Sequence, residues 1–237
     1  MTNQTTVTFR NDFDVDLVEV AGSDELICKA ARVSTMAAAS LETRESRGLI
    51  NALMREKHGS PFEHSFLVTR ITGPIFMWRE FMRHRIGVSY NEQSGRYMVL
   101  EPVFYIPPKN RALVQTGKAI NYSFEEGSEW QRSTVSQELT YSYRVAWESY
   151  QKMLREGIAK EVARMCLPLG TYSTAYVTMN PRSLMSFLSL RTKHVDATFP
   201  SNPQWEINQV ADKLEQIFKA KFPLTHEAYL QHGRVAP

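Results

Sequence analysis

Hydrophobic positions along this chain switch between strand-like and helix-like spacing, and the switches predict its elements. Residues 15–20 read as a strand, and Ser23-Asp24 then caps a helix running to about Val33. A second helix fits Glu42 to Lys57, with Leu49, Leu53 and Lys57 on one side and Gly59 just beyond its end. His64–Thr72 is rich in β-branched and aromatic residues and reads as a strand. Pro74 then suits the first turn of a helix carrying Phe76, Phe81 and Met82. Residues 107–135 hold Pro107, Pro108, Gly117 and Gly127 and read as a long loop or hairpin.

A long helix is expected from about Ser136 to Glu156, ended by Gly157. Leu139, Tyr143, Ala146, Tyr150 and Met153 give it one buried stripe. A short helix at 159–167 and a strand at Tyr172–Met179 follow. Asn180-Pro181 is a helix start, with Asn as N-cap and Pro in the first turn. The last major helix, about 204–221, repeats Ile207, Val210, Leu214 and Ile217. Helices interleaved with a few strands, without regular βαβ alternation, predict an α+β fold. The expectation is a mixed or antiparallel sheet packed with several long helices, in a single domain over residues 1–237.

Composition narrows the function classes. With 43% hydrophobic and 22% charged residues, the chain reads as an ordinary globular protein. Apolar runs such as 73–78 are too short to cross a bilayer, and the first residues lack a signal-peptide pattern. A cytoplasmic protein without membrane attachment is the expectation. Cys28 and Cys166 lie far apart among apolar neighbours, and the six histidines lack ligand spacing, so no metal site is expected. A formal charge of +3 does not by itself imply nucleic acid.

The chemistry is concentrated in two clusters. The segment 83–97 packs Arg83, His84, Arg85, Glu92, Ser94 and Arg96 around Gly87 and Gly95. Arginine suits phosphate, because its planar fork donates two parallel hydrogen bonds and stays charged. Arg83 and Arg85 would lie on opposite sides of a helix, so either the helix ends here or the two serve different groups. Composition alone fits a solvated basic loop equally well. In the C-terminal half, Arg164 falls in the short helix, and Asn180, Arg182, Ser186 and Arg191 fall on the next one. Residues 182 and 186 share a face, while Arg191 projects roughly opposite. Taken singly, Arg164 and Arg191 read more simply as cations complementing a helix C-terminus.

In order along the chain, these residues resemble the flavin-dependent thymidylate synthase family. Arg83-His84-Arg85 followed by Ser94-Gly95-Arg96-Tyr97 is similar to its signature, and His58-Gly59-Ser60-Pro61-Phe62-Glu63-His64 to its upstream motif. Ala31-Arg32-Val33-Ser34, Glu161-Val162-Ala163-Arg164, Leu167-Pro168-Leu169, Asn180-x-Arg182-Ser183-Leu184, Leu190-Arg191 and Gln204-Trp205-Glu206-Ile207 follow the family's order. The resemblance runs from about residue 12 to 232.

It implies a homotetramer whose active sites draw on several subunits, each with non-covalent FAD. It implies that dUMP, methylenetetrahydrofolate and NADPH give dTMP, without a cysteine nucleophile. By motif, Ser34, Ser60, Arg83, His84, Arg85, Ile86, Asn91, Glu92, Asn180, Arg182 and Ser186 would hold FAD, with His58 near the flavin. Glu80, Glu92, Ser94, Gly95, Arg96, Arg164 and Arg191 would hold dUMP, with Arg191, Ser94 and His58 nearest the chemistry. Arg191 would favour negative charge on the pyrimidine ring.

The chain departs from the pattern in four places. The spacer from Arg85 to Ser94 is eight residues, one longer than usual. Glu80 and Ser186 stand where the family commonly has glutamine and a longer amide or histidine, and the 193–203 loop is longer. The rival readings are an inactive homologue and a nucleotide- or RNA-binding module in which Trp78, Tyr90 and Tyr97 stack on bases. Bound FAD separates the enzyme from the binding module.

Overall fold

Residues 6–34, 46–118 and 121–237 are described by the computed structural model. Their strands are β1 (Thr8–Arg10), β2 (Asp14–Ala21), β3 (Phe66–Pro74), β4 (Val88–Glu92), β5 (Val103–Tyr105), β6 (Val114–Lys118), β7 (Asn121–Glu125) and β8 (Tyr172–Met179). Their α-helices are α1 (Asp24–Arg32), α2 (Ser46–Arg55), α3 (Ile75–Phe81), α4 (Glu129–Arg155), α5 (Lys160–Ala163), α6 (Pro181–Arg191), α7 (Trp205–Lys221) and α8 (Pro223–Gln231). The fold is α+β, and it divides into two compact units. One holds residues up to 12, 73–76 and 93–173; the other holds 13–72, 77–92 and 174–237.

In the first unit, β1 pairs in parallel with β5, and β6 and β7 form an antiparallel hairpin. The hairpin occupies part of the expected 107–135 loop, but that segment does not run to 135. Helix α4 begins at Glu129, seven residues before the expected Ser136. The reason is a capping box: Ser128 Oγ accepts the Gln131 amide, and the Gln131 side chain returns to the Ser128 amide. The buried face of α4 is Tyr143, Trp147 and Tyr150, packed with Phe104 and Ala163. Trp147 therefore joins the expected stripe, while Leu139 and Ala146 are only half-buried. Gly157 ends the helix at φ +78°, as expected.

The second unit is built on a four-stranded sheet in the order β2-β3-β8-β4, with β2/β3 and β4/β8 antiparallel. Helix α7 packs on β2 and against α6 and α8, while α1, α2 and α8 pack together. Ser23 and Asn180 cap α1 and α6 as the sequence predicts, accepting the Leu26 and Ser183 amides.

Helix α2 departs from expectation in two ways. Its buried side is Ile50, Leu53 and Met54, with Lys57 exposed and Leu49 half-buried. Its end is made by Lys57 at φ +59°, not by Gly59. The His58 amide there returns to Leu53 O at 2.9 Å. Residues 42–45 of the expected helix lie outside the described residues. Strand β3 starts at Phe66, because Ser60–Glu63 forms a 3-10 turn that His64 closes.

Candidate active site

Helix α3 ends at Phe81, so Arg83-His84-Arg85 lies on a turn and the two arginines are not opposed on one helix. The turn leads into β4 and is pinned from both sides. The Tyr90 hydroxyl on β4 donates to His84 O at 2.6 Å and lies 3.0 Å from Phe81 O. Ser183 on α6 donates from Oγ to Ile86 O at 2.8 Å. Gly87, at φ +64°, passes so close that a Cβ there would strike Ser183 Oγ and sit 2.7 Å from Asn180 Nδ2. The Phe81 and Phe187 rings, 4.4 Å apart, bind the end of α3 to α6. Arg83, Arg85 and the Ile86 side chain point into solvent.

Arg191, the last residue of α6, closes onto this turn. Its Nε donates to His84 Nε2 at 3.1 Å, its Nη1 to Glu80 Oε2 at 2.7 Å and its Nη2 to Glu80 O at 3.3 Å. Burial, helped by the Arg191 cation and opposed by Glu80, pulls the His84 pKa down to about 4. At neutral pH His84 is thus an uncharged ring whose Nε2 accepts. Arg191 is not the solvated helix-end cation of the simpler reading, because its side chain is 16% exposed and bonded to a second element.

Arg182, in the first turn of α6, donates from Nη1 to Glu63 Oε1 at 2.6 Å and from Nε to Pro237 O at 2.8 Å. Its guanidinium lies against Gly59, where a Cβ would clash. His58 and Ser60 flank Gly59 and are exposed. Asn91 and Glu92 stand on β4 opposite Tyr176 and Ala175. Ser186 is exposed on α6, and Ser34 is exposed in the turn after α1.

Ser94, Gly95, Arg96 and Arg164 belong to the first unit and are brought together there. A Cβ on Gly95 would meet Arg164 Cδ at 3.1 Å. Arg96 Nε donates to Glu161 Oε2 at 2.8 Å, and the Arg96 amide donates to Ser94 Oγ at 3.3 Å. Arg164 is half-buried and leads the short 3-10 turn after α5.

Sequence reasoning missed the residues that hold these arginines. Tyr90 serves as a pin, and Trp78 is 1% exposed in the core, so neither offers the expected stacking face; Tyr97 alone is open, at 75%. The signal for Tyr90 is that a half-buried phenol requires an acceptor. Glu63 and Glu161 lie inside the quoted motifs, but only their distances reveal the pairing. Cys28 is buried and Cys166 half-buried, and burial raises both thiol pKa values. Among the described residues, no group of three or more His, Cys, Asp or Glu is placed to hold a metal ion. None of their helices is long and apolar enough to cross a membrane.

The family described as "Thymidylate synthase complementing protein" matches residues 16–224. The chain is 50% identical to flavin-dependent thymidylate synthase of Streptomyces avermitilis, over 97% of this chain and 96% of that one. It is 39% identical to flavin-dependent thymidylate synthase of Thermotoga neapolitana, over 92% and 91%. Among solved structures, a UMP/dUMP methylase from Streptomyces cacaoi bound with 5-Br UMP superposes with a TM-score of 0.91. It is 45% identical, over 98% of this chain and 99% of that one. The same methylase bound with 5-Br dUMP gives a TM-score of 0.92. The ordered motifs, the α+β fold and these likenesses together place the chain in the family of flavin-dependent thymidylate synthases.

Proposed function

We propose that this protein makes dTMP from dUMP, with methylenetetrahydrofolate as carbon donor, NADPH as reductant and FAD as bound cofactor. The observation that carries the reading is the 3.1 Å hydrogen bond from Arg191 to His84. It joins a side chain expected to hold the nucleotide to one expected to hold the flavin.

The donor sets fit their ligands. The second unit offers Arg83, Arg85, Arg182 and the Asn180 amide to a pyrophosphate, near the N-terminus of α6. His58, Ser60, Ser34, Ile86, Asn91, Glu92 and Ser186 would complete that set. The first unit offers Ser94, the Gly95 backbone, Arg96 and Arg164 to a nucleotide phosphate. When bound, FAD supplies the hydride chemistry; the protein supplies position and field. Arg191 favours negative charge on the pyrimidine and so activates the ring for carbon transfer. Neutral His84 holds Arg191 by accepting the hydrogen bond from its Nε–H. Neither thiol is needed as a nucleophile.

We further read the whole chain as one functional domain of a cytoplasmic homotetramer, in which different subunits supply parts of each active site. Sedimentation of the purified protein tests the assembly.

The functional test is the visible spectrum of the protein with FAD, before and after dUMP, followed by dTMP formation with the folate and NADPH. UMP is assayed beside dUMP, because the S. cacaoi neighbour is a UMP/dUMP methylase. The expected result is a bound-flavin spectrum that shifts with dUMP, then turnover. A protein that binds no flavin and ignores dUMP overturns the proposal.

A further inference from the structure

A guanidinium has five N–H donors, and Arg191 uses three of them within its own unit. Two go to Glu80, through the carboxylate and the main-chain carbonyl, and one goes to His84. That leaves one N–H on each terminal nitrogen. A free arginine side chain loses rotamer freedom when a ligand fixes it. Here the fixing is done beforehand, by two groups on a rigid support. Glu80 stands on α3, the helix tied to α6 through Phe81 and Phe187. His84 follows in a turn whose carbonyl is held by Tyr90, with its ring 4.9 Å from that of Phe187.

The exposures separate this pair from the others. Arg96–Glu161 and Arg182–Glu63 are 43–53% exposed on every partner. Arg191 is 16% exposed and Glu80 38%. Only the arginine end of the Glu80 pair is shielded, and a shielded cation holds its partner more firmly against a competing ligand than an exposed one does.

We propose, resting on the function above, that Glu80 is a positioning residue. It holds Arg191 against His84 so that the two unused N–H groups meet the pyrimidine in a fixed orientation. Glu80 thus acts through Arg191 and not by touching the nucleotide. What Arg191 needs from it is an acceptor at the right distance.

Two near-isosteric variants divide distance from charge. Glu80→Gln keeps the acceptor oxygen and loses the charge; Glu80→Asp keeps the charge and withdraws the acceptor by one methylene. The full-length protein is loaded with FAD, its spectrum recorded, and kcat and KM for dUMP are measured. A misplaced catalytic group costs up to about a hundredfold, so Glu80→Asp should lower kcat by about ten- to a hundredfold. Putting a neutral acceptor in place of a charged one keeps the distance, so Glu80→Gln should lower kcat several-fold less than Glu80→Asp does. Both should keep the flavin spectrum.

The reverse order of activities overturns the proposal, because charge would then be the requirement. So do two unimpaired variants, two equally impaired ones, or the loss of flavin from either. An unchanged protein that forms no dTMP brings down the function and this inference together. An active one whose variants fail the pattern brings down the inference alone.

Discussion

Arg96 Nε and Glu161 Oε2 meet at 2.8 Å, so an arginine expected to grip the nucleotide phosphate is held in place by a carboxylate. Both side chains are more than half exposed, which makes the pair worth no more than about 1 kcal/mol. A dianionic phosphate outbids it by offering two charges and several acceptor oxygens. On the proposed function, Glu161 is then a placeholder that yields Arg96 to the ligand. Replacing Arg96 with Ala should therefore lower kcat/KM for dUMP by about a hundredfold or more, since a lost charged contact costs about 2–5 kcal/mol. Glu161→Gln should tighten dUMP modestly, by no more than about fivefold, because it removes only a weak competitor. Titration of the flavin spectrum with dUMP reads both; weaker binding in Glu161→Gln would contradict the placeholder role.

Arg191→Ala should abolish measurable dTMP formation while FAD still binds and the fold survives. The side chain lies at the end of α6, and its bonds run to Glu80 and His84 rather than within the helix. Near-normal turnover in this variant would remove Arg191 from the chemistry.

His84 gives a pH dependence of known sign. Its folded pKa of about 4 lies below the ordinary 6.5, so between these values the unfolded chain binds a proton that the native chain refuses. Stability therefore falls as pH drops from about 6.5 to about 4, and Arg191 faces a growing positive charge in place of an acceptor. The melting temperature of His84→Gln should fall less over that window than that of the unchanged protein. Parallel curves would show that His84 is not the source.

A second network carries stability away from the site. Glu215 accepts from both Arg234 terminal nitrogens, at 2.9 and 2.6 Å, and lies 3.0 Å from His226 Nε2. Burial opposes its charge, but the bonds from His226 and Arg234 prevail and hold its pKa at about 2. The stabilisation is complete above about 4.5 and is lost as pH falls towards about 2. Arg234 is 4% exposed, so Glu215→Gln leaves a buried cation without its carboxylate. The expected cost at neutral pH is about 3–5 kcal/mol, read by denaturant unfolding.

Gly87→Ala should weaken FAD binding more than it weakens the fold. The new methyl forces φ +64° on an L residue and pushes into Ser183 and Asn180, the residues that set the Arg83-His84-Arg85 turn against α6. Comparing flavin affinity with melting temperature separates the two effects.

The sequence by itself determined what depends on neighbours a few residues away. Ser23 and Asn180 as caps, strand Tyr172–Met179, helix 205–221 and Gly157 as a stop were legible because each is set by local hydrogen bonds and period. The start of α4 was legible too, in Ser128 and Gln131, but the glycines and prolines before it masked the capping box. The order of motifs determined the family, since it needs no geometry. Only the tertiary structure decided which charges meet. Glu80 and Arg191 are 111 residues apart, Glu63 and Arg182 are 119, and Arg96 and Glu161 are 65. An ion pair leaves no periodic trace in a sequence, because its partners are chosen by the packing of distant elements. Here the contact of Phe81 with Phe187 joins the end of α3 to α6, with Glu80 within reach of Arg191.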